Sequence, residues 1–455
     1  MSMTAAANAE DITVDPRALA CLTTGFKELP SVIEKADFTC VESLTLLSEL
    51  SIHARIGLNL WQLLGAATRT AVAINLHRRD DVYLPTVFGL AYSESHNSAE
   101  IAAHNQRRKD LFWALYSLDR LAAFILNRPP SLADTDVDVD LPPATMWPEG
   151  KYATLSSEAL WTHHIQSRRL YGQIQIALDV RARRSNDDGE MSAQEVISGY
   201  MQQVQQWYMK SRFNSTVIPF SEESVKRHVL DDIQYHQMVI SLHQPSGLVP
   251  DISSTSLATL YRSATLSVGL FHHAASRKQL NIHWVNLHQA FTSCTTLIYC
   301  VRQHQIRADL KAPPEEKISA IMAQCREVIS LFGGVGPIVQ QYKTLLTILI
   351  EAFQAQRPSP ATPSDISRES LAETSPAVIN QLSPSSGMDF DMAMTFNPEM
   401  FPGIAEGAFL DGPSNILSPT YWMDNGQVGP ERGVESTSSG GSRAERTSVS
   451  SGAHT

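Results

Sequence analysis

The sequence predicts an all-α fold, a multi-helix domain with a disordered C-terminal tail, and three observations carry that prediction. Apolar residues recur at three- and four-residue steps through most of the chain, the spacing that stacks side chains on one helix face. Alternating β-branched segments, the mark of half-buried strands, are scarce. From about residue 356, prolines, serines and threonines crowd together and the apolar stripes stop.

Composition narrows the class. A chain of 455 residues with 43% hydrophobic content can bury a substantial core and has length for two or three units. A net charge of −11 and a pI of about 5.7 argue against a surface that coats nucleic acid. The charge is uneven: residues 356–455 hold 5 Arg against 12 Asp and Glu, a net of −7, leaving −4 for the first 355. Five scattered cysteines (Cys21, Cys40, Cys294, Cys300 and Cys325) fit a reducing compartment better than a disulfide scaffold. No apolar run approaches a spanning length. The first 15 residues lack the basic start and apolar centre of a signal peptide. The expectation is a soluble intracellular protein with no membrane partner.

In order along the chain, residues 1–16 are expected to be disordered, and 17–355 to form the helical domain. Leu19, Leu22 and Phe26 make one short stripe; Val41, Leu44, Leu47 and Leu50 make another. Both are expected to pack on the helix that follows Arg55. The stretch 55–142 organises the rest. Its first half places Leu60, Leu63, Leu64, Ala67, Ala71 and Ile74 on one helical face. Its second half does the same with Leu111, Leu115, Leu118, Ala122 and Ile125, widened by Phe112, Trp113 and Tyr116. Arg128-Pro129-Pro130 must end that helix, because proline has no amide donor and disfavours helical geometry before it.

The two halves are expected to lie antiparallel, joined by a surface linker over roughly 78–103. Arg107-Arg108-Lys109 is read as the opening of the second helix, where cations oppose the dipole, so an ion-pair partner is expected. Arg69, Asp119 and Arg120 are expected to share a polar network between the two helices, since burial there requires pairing. After Pro148, helical patterning resumes at 156–184, 192–210, 221–243, 254–276, 282–305, 315–332 and 337–355. Ser192 with Glu195 has the form of a capping box.

These residues carry a resemblance. The run Trp61-Gln-Leu-Leu-Gly65-Ala-Ala-Thr-Arg69 and the later His77 are similar to the middle homology region of fungal zinc-cluster transcription factors. So are Arg108, Phe112, Trp113, Tyr116, Asp119 and Arg120, then Arg128, Pro129 and an aspartate-rich run that includes Asp136. The resemblance implies an all-helical regulatory module with no catalytic residues, so these positions carry over as structural determinants only. It implies a nuclear site and control of metabolic genes, often a biosynthetic cluster. In that family six cysteines near the N-terminus hold two zinc ions and set a helix in the major groove. Here no two cysteines lie three residues apart. No cofactor is therefore expected in this chain, and zinc only if a six-cysteine cluster is encoded upstream. Promoter DNA would be reached through such a cluster or through a partner.

The tail suggests a second function-bearing element. Between residues 387 and 425 there are six acidic residues and no basic one. Asp389, Phe390, Phe396, Phe401, Phe409, Leu410, Tyr421 and Trp422 lie within that span. Bulky apolar side chains kept apart by neighbouring acids suit an acidic activation segment that docks into a coactivator groove.

Other clusters point less far. Asp134, Asp136, Asp138 and Asp140 invite a calcium loop, but Val139 and Thr145 stand where such a loop needs Gly and Glu. The histidines at 163, 164, 272, 273, 283 and 288 lack a His-Glu-x-x-His or Cys/His pairing, and read as core or surface residues. The reading that results is a fungal transcription regulator, possible as a homo- or heterodimer, that uses coactivators. Its alternative is an interaction protein that titrates other transcription factors without binding DNA.

Overall fold

The computed structural model describes residues 16–53, 59–79, 98–142, 157–184, 192–215, 222–333 and 338–355. Among the described residues there are eleven α-helices and no strand. In chain order they are α1 (Pro16–Lys35), α2 (Phe38–His53), α3 (Leu60–Ala73), α4 (Ser98–Ile125), α5 (Ser157–Arg184) and α6 (Ala193–Ser215). Then come α7 (Glu222–His243), α8 (Ser254–Ser276), α9 (Trp284–Ile306), α10 (Glu315–Ser330) and α11 (Ile338–Ala355). A single 3-10 turn, Asp134–Asp136, interrupts the loop after α4. The expectations for residues 1–15 and for 356–455, activation segment included, lie outside the described residues.

Local chemistry fixes the helix ends. Asn59 caps α3 by accepting a hydrogen bond from the Gln62 amide at 3.2 Å. Asn75 then closes it in the left-handed region (φ 56°), with the Leu76 amide reaching back to the Ala71 carbonyl at 2.9 Å. Asn127 (φ 50°) does the same for α4, so that helix stops just ahead of Pro129-Pro130. The capping box at α6 is present in full. The Ser192 amide donates to Glu195 Oε2 at 2.8 Å and the Glu195 amide to Ser192 Oγ at 3.3 Å.

One boundary differs from expectation. The α4 helix begins at Ser98, so Arg107-Arg108-Lys109 sits inside it rather than at its start. Residues 98–103 read as linker because the stretch before them is rich in Ser, His and Asn, yet Ala and Glu among them favour helix. The dipole argument therefore falls away, but the partners exist. Arg107 pairs with Glu42 of α2 at 2.7 Å, and Lys109 lies 4.0 Å from Asp140.

Three groups of buried side chains form the interior. The first gathers Val41, Leu44, Leu64, Ala67, Phe112, Trp113 and Leu115 from α2, α3 and α4, with Ile165 of α5 and Val285 of α9. The second joins α5, α6 and α7 through Tyr171, Ile174, Val204, Trp207 and Met238. The third surrounds α9, whose residues Val285 to Val301 are buried on nearly every side. A polar seam crosses that third region. The Gln237 amide nitrogen of α7 donates to Ser293 Oγ (2.8 Å), Ser267 Oγ (3.2 Å) and the Gln289 carbonyl (3.3 Å), which engages its N–H groups inside the protein.

Candidate functional site

The stretch singled out by sequence folds as a pair. Early in α4, Arg108 Nη2 donates to the Asn75 carbonyl at the end of α3 (3.1 Å). Just past the end of α4, the Arg128 guanidinium lies 5.4 Å over the Trp61 ring at the start of α3. The two helices are therefore antiparallel. Trp113 is fully buried, and its indole N–H donates to the Asp140 carbonyl at 3.0 Å, tying the aspartate-rich loop to α4. Phe112 and Tyr116 flank it edge-on, 5.1 and 5.2 Å away. His77 is buried, its pKa lowered by that burial and by the adjacent Arg78. The Arg79 amide donates to Asp138 Oδ1 at 2.7 Å.

At the centre lies Arg120, 1% exposed. Its Nη1 donates to Asp119 Oδ2 (2.7 Å), and Nη2 donates to Asp134 Oδ1 (2.9 Å) and to the Leu132 carbonyl (2.5 Å). The guanidinium sits 4.2 Å over the Tyr116 ring, whose hydroxyl donates to the same Asp134 oxygen at 2.7 Å. The Ser131 amide donates to Asp119 Oδ2 at 3.0 Å. Gln173 of α5 reaches Asp134 Oδ2 at 3.4 Å. Gly172, also on α5, makes room for the arginine: a Cβ there would stand 2.5 Å from Arg120 Cδ.

The electrostatics follow from this packing. Burial pushes the Asp119 carboxyl up, against the pull of Arg120. Burial would raise Asp134 as well, but hydrogen bonds from Arg120 and Tyr116 outweigh it and hold that carboxyl below its ordinary value. Burial raises the Tyr116 hydroxyl to about 12. Arg120 loses by burial and gains more from Tyr116, Asp119 and Asp134, so it stays a cation.

The polar network expected here is thus partly as read. Asp119 and Arg120 are joined, and the third partner is Asp134, not Arg69. Arg69 is exposed, and its guanidinium folds back over Gly65 of its own helix, 3.4 Å from where a Cβ would stand there. Pro129 and Asp136 are also exposed. Gly172, Gln173 and Asp134 were missed as members of the group. An isolated glycine inside a helical pattern was the available signal for Gly172.

Chemically this arrangement pairs buried charges with one another. Each carboxylate oxygen named above is engaged by a donor. The recess bounded by Thr68, Phe112, Tyr116, Asp119, Arg120 and Leu132 has room for about one water molecule. Among the described residues no three His, Cys, Asp or Glu side chains gather as a metal site. Cys40, Cys294, Cys300 and Cys325 are buried on α2, α9 and α10 while Cys21 is exposed on α1, so the thiols do not fit a zinc cluster. No helix among the described residues is long and apolar enough to cross a membrane.

Residues 26–157, which contain the whole of the α3–α4 pair, match the family described as the fungal specific transcription factor domain. Protein STB5 of Saccharomyces cerevisiae is 25% identical over 321 residues, covering 68% of this chain and 40% of that protein. The positive regulator of purine utilization of Emericella nidulans is 25% identical over 252 residues, 46% of this chain and 23% of that protein. The Candida glabrata negative regulator of pleiotropic drug resistance STB5 is 28% identical over 116 residues, 25% of this chain and 11% of that protein. The chain thus spans less than half the length of these relatives, two of which are named as regulators. No solved structure matches it.

Proposed function

We propose that this chain regulates transcription of metabolic genes, such as those of a biosynthetic cluster, in the nucleus, with residues 387–425 as an activation segment. The observation that carries the reading is the match of residues 26–157, which hold the paired helices clasped by Arg120, to the fungal specific transcription factor domain. The segment adds six acidic residues, no basic one, and seven bulky side chains from Phe390 to Trp422 that suit a coactivator groove. Promoter contacts come from a six-cysteine zinc cluster encoded upstream or from a partner protein, since the net charge of −11 is a poor match to DNA phosphate.

Fusing residues 380–430 to a heterologous DNA-binding domain tests the activation step. Reporter output is expected, and its loss when Phe390, Phe396, Phe401, Phe409, Leu410, Tyr421 and Trp422 become alanine. A silent fusion would remove the activator role and leave the titrating, non-DNA-binding reading. The relatives include one named a positive and one a negative regulator, so the sign is set by this assay. Transcript sequence upstream of the Met1 codon tests the zinc cluster.

A further inference from the structure

The last described helix closes at Ala355, and the acidic segment begins at residue 387. The 31 residues between them hold five prolines, and four of these follow a serine or threonine: Ser359-Pro360, Thr362-Pro363, Ser375-Pro376 and Ser383-Pro384. Elsewhere the chain has nineteen prolines, and only Pro419 follows such a residue, Ser418. Composition does not account for the contrast. Serine and threonine make up 10 of those 31 residues, so random placement would put about one or two of the five prolines after a hydroxyl.

We propose that Ser359, Thr362, Ser375 and Ser383 are phosphorylated by a proline-directed protein kinase. A Ser-Pro or Thr-Pro pair is suited to that fate on physical grounds. Proline fixes its own φ and biases the residue before it to extended geometry, so less conformational freedom is lost when an extended substrate is bound in a cleft. Proline also brings no amide N–H that the cleft would have to satisfy.

In the transfer, the side-chain oxygen attacks the γ-phosphorus of ATP. The bond from that phosphorus to the β-phosphate oxygen breaks, ADP departs, and the hydroxyl proton passes to the kinase's catalytic carboxylate. Each phosphate brings about −1.5 to −2 charges near neutral pH. Four of them add roughly −6 to −8 beside a tail whose own net is −7.

The experiment uses the whole chain, expressed in a fungal cell and analysed by intact mass and phosphopeptide mapping. A parallel arm incubates the bacterially made chain with ATP and a proline-directed kinase, or with a kinase that requires basic residues. The expected result is up to four added phosphoryl groups on the four named residues in cells and with the first kinase. They should be lost in the Ser359→Ala/Thr362→Ala/Ser375→Ala/Ser383→Ala variant, whose far-UV circular dichroism should match the parent. Absence of phosphate at these residues in both arms, or phosphate only elsewhere, would overturn the proposal. This readout does not depend on reporter output, so it stands apart from the activation reading.

Discussion

Replacing Gly172 by alanine tests the central clasp most directly. The added methyl would lie 2.5 Å from Arg120 Cδ and 2.8 Å from Nε, about an ångström inside ordinary contact. Those atoms are the middle of the side chain, and its far end is held by Asp119, Leu132 and Asp134. Arg120 can yield only by giving up one or more of these charge-assisted bonds, each worth about 1.5–3 kcal/mol, or by leaving Asp119 buried without its cation, about 3–5 kcal/mol. Helix propensity returns about 1 kcal/mol for alanine over glycine. The net expectation is a loss of about 2–4 kcal/mol.

Gly199 of α6 supplies the control, because nothing lies within 4 Å of a Cβ built there. Gly199→Ala should gain about 0.5–1 kcal/mol. Urea midpoints followed by circular dichroism should separate the two variants clearly. If Gly172→Ala melts with Gly199→Ala, Arg120 has a second comfortable position and the clasp argument is wrong.

Three further outcomes follow from burial and backbone geometry. Ala36 (φ 48°) and Lys278 (φ 55°) end helices in the left-handed region, so glycine at either should stabilise the chain by up to about 1 kcal/mol, read from the same midpoints. Burial lowers His163, His236 and His288 to about 4 and His283 to about 3, so these rings are neutral in the fold and take protons more readily when unfolded. Their stabilising contribution is complete above the unfolded value of about 6.5 and fades as pH falls toward 4, by up to about 1.4 kcal/mol per pH unit for each ring. A urea midpoint that stays flat between pH 6.5 and 4 would contradict this. With Cys21 exposed and the other four thiols buried, an aromatic disulfide reagent should find one fast-reacting cysteine in the native chain and all five after denaturation. A second fast thiol would show that a buried helix opens readily.

The sequence was most informative where a pattern repeats and least where a fold brings distant pieces together. From α5 onward the helices start and stop within a few residues of the positions read from apolar spacing, because a 3.6-residue period survives in the text of the chain. Asp119 and Arg120 were legible as partners because buried charge requires pairing. Asp134 was not. Its place beside Arg120 depends on how the loop after Pro130 turns back, and no local spacing encodes that. Arg69 was misplaced for a related reason: its helix was correct, but its side chain lies on the exposed flank and reaches Gly65 instead of α4. The Gln237 seam was also unread, since a lone glutamine in a helix gives no hint that two serines await it on two other helices.

Trp284 bears on how this molecule can be cut. Its indole N–H donates to the Ser51 carbonyl at 3.1 Å, across 233 positions of chain. Its neighbour Val285, with Ile165, completes the interior around Trp113. The packing of this region therefore continues past residue 157, where the family match ends. A fragment trimmed to the family boundary would present raw apolar flanks to solvent, and biophysical work on the clasp needs the polypeptide at least through α9.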